Sequence, residues 1–144
     1  MSFRFVDSPA SSDIAIEAEA ATLEGMLRSC WEALTSTMVR NPEVITPSEK
    51  YAFSCRASSA DMLLYDLLEE QLFLKDAKGV ICLIDRIELG QGAGSELSAK
   101  THLLCESLDT KKHVLGVDVK AITLYRLSVS QVNGVWRSMV ILDV

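Results

Sequence analysis

The stretch from Gly116 to Val144, GVDVKAITLYRLSVSQVNGVWRSMVILDV, is the most regularly patterned part of the chain. Val117, Val119, Ala121, Thr123, Tyr125, Leu127 and Val129 fill one set of alternate positions; Asp118, Lys120, Arg126 and Ser128 share the other with Ile122 and Leu124. A period of two predicts a strand with one face on a core. Asn133-Gly134 offers the two positive-φ residues of a tight turn, so VWRSMVILDV should return as the partner strand. A two-residue turn then sets Val132 opposite Val135, Tyr125 opposite Leu142 and Leu124 opposite Asp143. Asp143 follows the apolar run MVIL. Free ends fray, and so strongly apolar a run predicts an end held inside a sheet.

Upstream, FRFV and DIAIEAEA read as two strands separated by the turn residues Asp7, Ser8, Pro9, Ser11 and Ser12, with Asp13 opening the second. Thr22 is placed to cap a helix with Glu24 in its first turn. Leu23, Met26, Leu27, Cys30, Trp31, Leu34 and Met38 recur at helical spacing up to Asn41-Pro42, a stripe for core packing. KYAFSCRA is a strand with Tyr51, Phe53 and Cys55 on one side. Ser58 or Ser59 caps a second helix, whose stripe of Leu64, Leu67, Leu68 and Leu72 is widened by Met62, Leu63, Tyr65 and Phe73. Its acids Asp61, Asp66, Glu69 and Glu70 read as a solvated face, and Gly79 as its stop. VICLIDRIEL and ELSAKTHLLCESL are strands joined by GQGAGS. That loop feeds a strand and lacks the Gly-Lys-Ser/Thr of a P-loop, so it is no phosphate cradle. The order predicts one α+β domain over residues 1–144: a mixed, mostly antiparallel sheet with two helices packed against it.

At 144 residues and 49% hydrophobic, the chain has enough for one sizeable core. Its apolar runs fall short of the roughly 20 residues that span a membrane, and MSFRFVDSP lacks a signal peptide's apolar stretch, so a cytoplasmic protein is expected. Cys30, Cys55, Cys82 and Cys105 match no zinc spacing, and their apolar neighbours favour buried thiols over a disulfide. Twenty acids against 14 bases leave a net charge of −6. That sign opposes free-standing affinity for nucleic acid unless a local basic patch escapes the average.

Candidate chemistry is sparse. His102 lies in a strand and His113 in the charged loop DTKKH, neither with Cys or His at ligand spacing, so no catalytic residue is assigned. Asp13 at a strand start and Asp143 at a strand end could meet where two tips converge, offering the oxygen donors a hard cation selects. By residue type alone, two strand ends in solvent remain the simpler reading.

SSDIAIEAEAATLEGML, LLYDLLEEQLFL, KHVLGVDVKAITLYRL and VILDV, in this order and at these spacings, resemble the archease family over essentially the whole chain. The resemblance implies a protein cofactor of the RtcB-type RNA ligase of tRNA splicing, which joins a 2′,3′-cyclic-phosphate or 3′-phosphate end to a 5′-hydroxyl end. Archeases promote guanylylation of that ligase with GTP, and so its multiple turnover, without being ligases themselves. Contact with tRNA would then be indirect, through the ligase. The resemblance further implies a divalent metal, Ca2+ by preference, on Asp13, Asp143 and a main-chain oxygen of Val144, with Lys120 as the lysine of the VKA block that acts on the partner.

Two departures stand out. The family's His-Thr-Ala-Asp is here Ala10, Ser11, Ser12 and Asp13, which removes an imidazole beside the first aspartate. Its Tyr-His after the VKA-I-T block is here Leu124-Tyr125. In the simple hairpin register Lys120 lies four residues, roughly 13 Å, from the partner position of Asp143, too far for an ion pair. A competing class is a small metal-dependent phosphohydrolase that uses Asp13 and Asp143 alone.

Overall fold

The computed structural model describes residues 1–8 and 13–144. The chain runs β1 (Ser2–Val6), β2 (Ile14–Ala20), α1 (Leu23–Met38), a short 3-10 turn (Pro42–Val44), β3 (Glu49–Ala57), α2 (Ala60–Lys78), β4 (Val80–Gln91), β5 (Leu97–Ser107), β6 (Ala121–Ile122), β7 (Ser128–Val132) and β8 (Val135–Asp143). The α+β class with two helices is as expected. The strands divide between two sheets, one ordered β1-β2-β8-β6 with β7 also on β8, the other β3-β5-β4. Every pairing among the described residues is antiparallel. One core joins both sheets to both helices.

Alternation decides which face is buried. In β2, Ile16, Ala18 and Ala20 turn inward while Glu17 and Glu19 turn out. The Thr22 hydroxyl accepts the Gly25 amide at 3.0 Å, capping α1 as its sequence predicts. The α1 stripe of Met26, Leu27, Cys30, Trp31, Leu34 and Met38 is buried throughout. Trp31 donates its indole N–H to the Cys82 carbonyl at 2.8 Å, tying α1 to β4.

The second helix differs from its expected face in two places. Phe73, assigned to the buried stripe, is 48% exposed, whereas Gln71 is buried. The Gln71 amide donates to the Trp31 carbonyl and to the Thr35 hydroxyl, each at 3.0 Å, so a polar residue forms the seam between the helices. Ser59 is the N-cap by position, but its hydroxyl bonds Asp61 instead of a helix amide. Gly79 takes the left-handed conformation (φ 63°) that ends a helix without cost to a residue lacking Cβ. A bulge at Asp85 interrupts the β4–β5 ladder, and Arg28 holds the carbonyls of Ile84 and Asp85 at 3.2 and 2.8 Å.

The expectation of four free thiols is corrected. Cys82 and Cys105 face each other across β4 and β5 and are joined as a disulfide, while Cys30 and Cys55 are free. Residues 23 apart in sequence become direct neighbours only through the hairpin register. Burial pushes the Cys30 and Cys55 thiols up to about 11, in Cys55 with help from Asp66 and Glu70. No described helix is long and apolar enough to cross a membrane.

Candidate functional site

The C-terminal stretch is not the continuous hairpin its alternation predicts. The Asn133-Gly134 turn forms with positive φ at both residues, and Val132 pairs with Val135 and Ser128 with Met139, as a two-residue turn requires. Beyond Ser128 the register changes. Ile122 pairs with Leu142 and Ala121 with Asp143, so five residues of one strand oppose two of the other. The excess is taken up in a turn closed by the Leu127 amide on the Leu124 carbonyl at 3.2 Å, with Arg126 left-handed (φ 55°). Leu124 and Tyr125 are thereby thrown outward, 57% and 54% exposed. The expected pairs of Tyr125 with Leu142 and Leu124 with Asp143 do not form, and Tyr125 is not a core residue. Alternation misled because period two persists through a turn whose side chains happen to continue it.

The shift of register moves Lys120. Its amide donates to the main-chain oxygen of Asp143 at 2.8 Å, so the two residues are neighbours across adjacent strands and not roughly 13 Å apart. The Lys120 side chain is exposed, whereas Val119 before it is buried at 1%. On the other side of β8, Ile14 pairs with Leu142. Asp13 is therefore one step beyond the ladder, level with Asp143. Because β8 lies between β2 and β6, Asp13, Asp143, Val144 and Lys120 collect at one end of the five-stranded sheet. Asp13 and Asp143 are half-buried, and Val144 packs against the core. Among the described residues no group of three or more His, Cys, Asp or Glu is gathered closely enough to hold a metal, so the side-chain donors here are the two aspartates. Ala10, Ser11 and Ser12, where the family writes His-Thr-Ala, lie outside the described residues.

A cavity of about 370 Å³ opens beside Asp13, lined in part by Ser36, Thr37, Arg40, Gly116 and Val117. These residues mark the support that sequence reading did not find. The last carbonyls of a helix lack intrahelical donors. Here the Gly116 amide donates to the Met38 carbonyl at 2.8 Å and the Val117 amide to the Thr37 carbonyl at 2.9 Å. That contact also ends α1 at Met38, short of Asn41-Pro42, because Val39 pairs instead with Leu115. A Cβ on Gly116 would stand 2.3 Å from the Thr37 carbonyl oxygen, so only glycine allows the approach. The signal was a glycine directly before the alternation begins.

Residues 109–114 are anchored beneath. Asn41 donates to the Lys112 carbonyl at 3.1 Å and accepts from the Val114 amide at 2.8 Å. His113, expected in a charged loop, is buried at 1%; its Nδ1 accepts the Asp109 amide at 2.9 Å, and its Nε2 faces Glu106 at 3.3 Å. Glu106 also meets the Lys112 ammonium and accepts the Thr46 amide at 2.7 Å. The Lys112 bond foremost, then the Thr46 amide and His113, hold its carboxyl down at about 2 against the opposing effect of partial burial.

Fold and strand-end cluster together define a small α+β protein of two antiparallel sheets about two helices, with a carboxylate pair and an exposed lysine at one sheet end. The Archease protein family (MTH1598/TM1083) matches over residues 3–144. The Protein archease of Pyrobaculum calidifontis is 27% identical over 136 residues, covering 93% of this chain and 90% of that one. Methanobacterium thermoautotrophicum protein 1598, solved in solution, superposes with a TM-score of 0.83 at 22% identity, over 99% of this chain and 98% of its own. An archease of Thermotoga maritima, described there as a possible chaperone, gives 0.62 at 18% identity, over 96% and 98%. The chain belongs to the archease family.

Proposed function

We propose that this chain is the protein cofactor of an RtcB-type RNA ligase in tRNA splicing in the cytoplasm, promoting guanylylation of the ligase with GTP so that it turns over repeatedly. It acts as an activator, not as the ligase. Membership of the archease family supports the reading, and the observation that carries it is the meeting of Asp13, Asp143, Val144 and Lys120 at one sheet end.

The donors there suit a hard cation. Among the described residues, carboxylate and main-chain oxygens meet there without sulfur or imidazole, which favours Ca2+ over a transition metal. Asp13, Asp143 and a main-chain oxygen of Val144 would hold it, and a bound cation would supply positive charge at the sheet's edge. Three or four oxygens fall short of the six to eight calcium takes, so water or the ligase completes the shell. Lys120, exposed beside them, reaches a phosphate or a ligase carboxylate as a flexible point charge.

The test adds this protein in trace amounts to the ligase with GTP and a labelled RNA. Asp143→Ala should abolish stimulation with little change in thermal unfolding, since a half-buried strand-end carboxylate contributes little core energy. Asp13→Ala should behave alike, and the double variant should be hardly worse than either, because residues of one site are not additive. Full stimulation by Asp143→Ala would remove it from the site. Turnover of a nucleotide or RNA phosphate without the ligase would favour the phosphohydrolase instead.

A further inference from the structure

We propose that the open face of the three-stranded sheet binds the phosphodiester backbone of an RNA strand. The inference goes beyond the ligase reading and does not require it. In β5, Ala99, Thr101, Leu103 and Cys105 are buried toward the helices, which turns Ser98, Lys100, His102 and Leu104 to the opposite face. The ladders set four rows across that face: Arg56, Ser98 and Gly90; Ser54, Lys100 and Glu88; Ala52, His102 and Arg86; Lys50, Leu104 and Leu83.

Lys50, Arg56, Arg86 and Lys100 are all exposed; Glu88, which pairs with Arg86 at 3.5 Å, is the only carboxylate in the four rows, and the exposed Asp85 of the bulge adjoins them. Among the described residues, Lys50, Arg56 and Lys100 are thus the cations without a partner acid on this face. Glu96 lies beyond them at the hairpin tip, and Glu106, in the next row, is engaged by Lys112. This concentration of cations departs from a chain of net charge −6. The His102 hydrogen bond foremost, helped by the charges of Arg86 and Lys100, holds the Glu88 carboxyl below the usual range against the opposing effect of desolvation.

The shape favours a backbone over a protein partner. Ala52, Ser54, Ser98 and Gly90 keep the face low between the cations, and a Cβ on Gly90 would stand only 2.8 Å from the Ser98 hydroxyl. Tyr51 and Phe53 belong to the opposite face, and only the half-buried Leu83 and Leu104 are large and apolar here. A protein interface draws its energy from buried aromatic and apolar anchors. Phosphates need cations and hydroxyls without pockets, and alternate residues along a strand present them about 7 Å apart. Binding should therefore be independent of sequence and steeply dependent on salt.

The measurement is fluorescence anisotropy of a labelled single-stranded RNA titrated with this protein alone, over a range of salt, with poly-glutamate as a second probe. Affinity should fall with salt at a log–log slope of about −2 to −3, as for the release of three or four counterions. Arg56→Glu with Lys100→Glu should weaken binding at least about tenfold, and the neutral pair Arg56→Gln with Lys100→Gln by less. Arg4→Glu with Arg137→Glu, on the other sheet, should change it less than about twofold. Folding of each variant is checked by circular dichroism. Absence of salt-dependent binding, an equal loss in the Arg4 and Arg137 variant, or capture of poly-glutamate as tightly as RNA would each overturn the proposal. Guanylylation of the ligase, measured without RNA, should be unaltered by the Arg56 and Lys100 changes. The two readings thus fail independently.

Discussion

Glu106 shows how a single side chain sets the acid tolerance of the loop that leads to Lys120. It is the shared acceptor of Lys112 and the Thr46 amide and faces His113, and its side chain is only 16% exposed. A carboxyl held at about 2, against an ordinary 4.5, is bound more tightly as an anion in the folded state. Its contribution to stability is therefore complete above the ordinary value and is lost as pH falls from 4.5 toward 2. Denaturant unfolding of the wild type should weaken across that window, and Glu106→Gln should flatten the dependence while lowering stability at neutral pH. An unchanged pH profile in the variant would show that other carboxyls carry it.

Between elements, the decisive contact is the close approach of Gly116 to the end of α1. The segment 114–117 closes the last helical carbonyls and aims the chain into β6, so the placing of Lys120 beside Asp143 depends on it. Gly116→Ala would force its methyl against the Thr37 carbonyl oxygen and push the two segments apart. Overpacking of this kind costs about 1–3 kcal/mol. Thermal unfolding should fall by about 4–10 °C. Stimulation of the ligase should fall as well, because the misplaced strand carries Lys120. A variant as stable as the wild type would mean that the loop relaxes freely.

For the molecule as a whole, stability and action should separate at Lys120. Its ammonium is exposed and makes no ion pair among the described residues, and a solvated charge contributes less than about 1 kcal/mol to folding. Lys120→Ala should leave the unfolding temperature almost unchanged and depress ligase guanylylation. Lys120→Arg should restore it only in part, since a guanidinium prefers planar two-pronged contacts. A large loss of stability would make Lys120 structural, and unaltered guanylylation would remove it from the site.

Local rules were enough for much of this fold. Thr22 as a cap, Gly79 as a stop, Asn133-Gly134 as a turn and the α1 stripe are all set by residues within a few positions of one another, and each is found as predicted. So was the likeness of the whole chain to a family, which rests on order and spacing. What tertiary structure decided are relations between distant residues. The turn at Leu124–Leu127 reset the register by three, and with it the distance from Lys120 to Asp143. Partner strands brought Cys82 to Cys105, and packing of helix on helix buried Gln71 and left Phe73 outside. Within a strand, alternation fixes which side a residue takes, but it tells neither where the strand gives way to a turn nor which residue lies across the sheet, because backbone hydrogen bonds are alike at every position and only the turns and the core choose among registers.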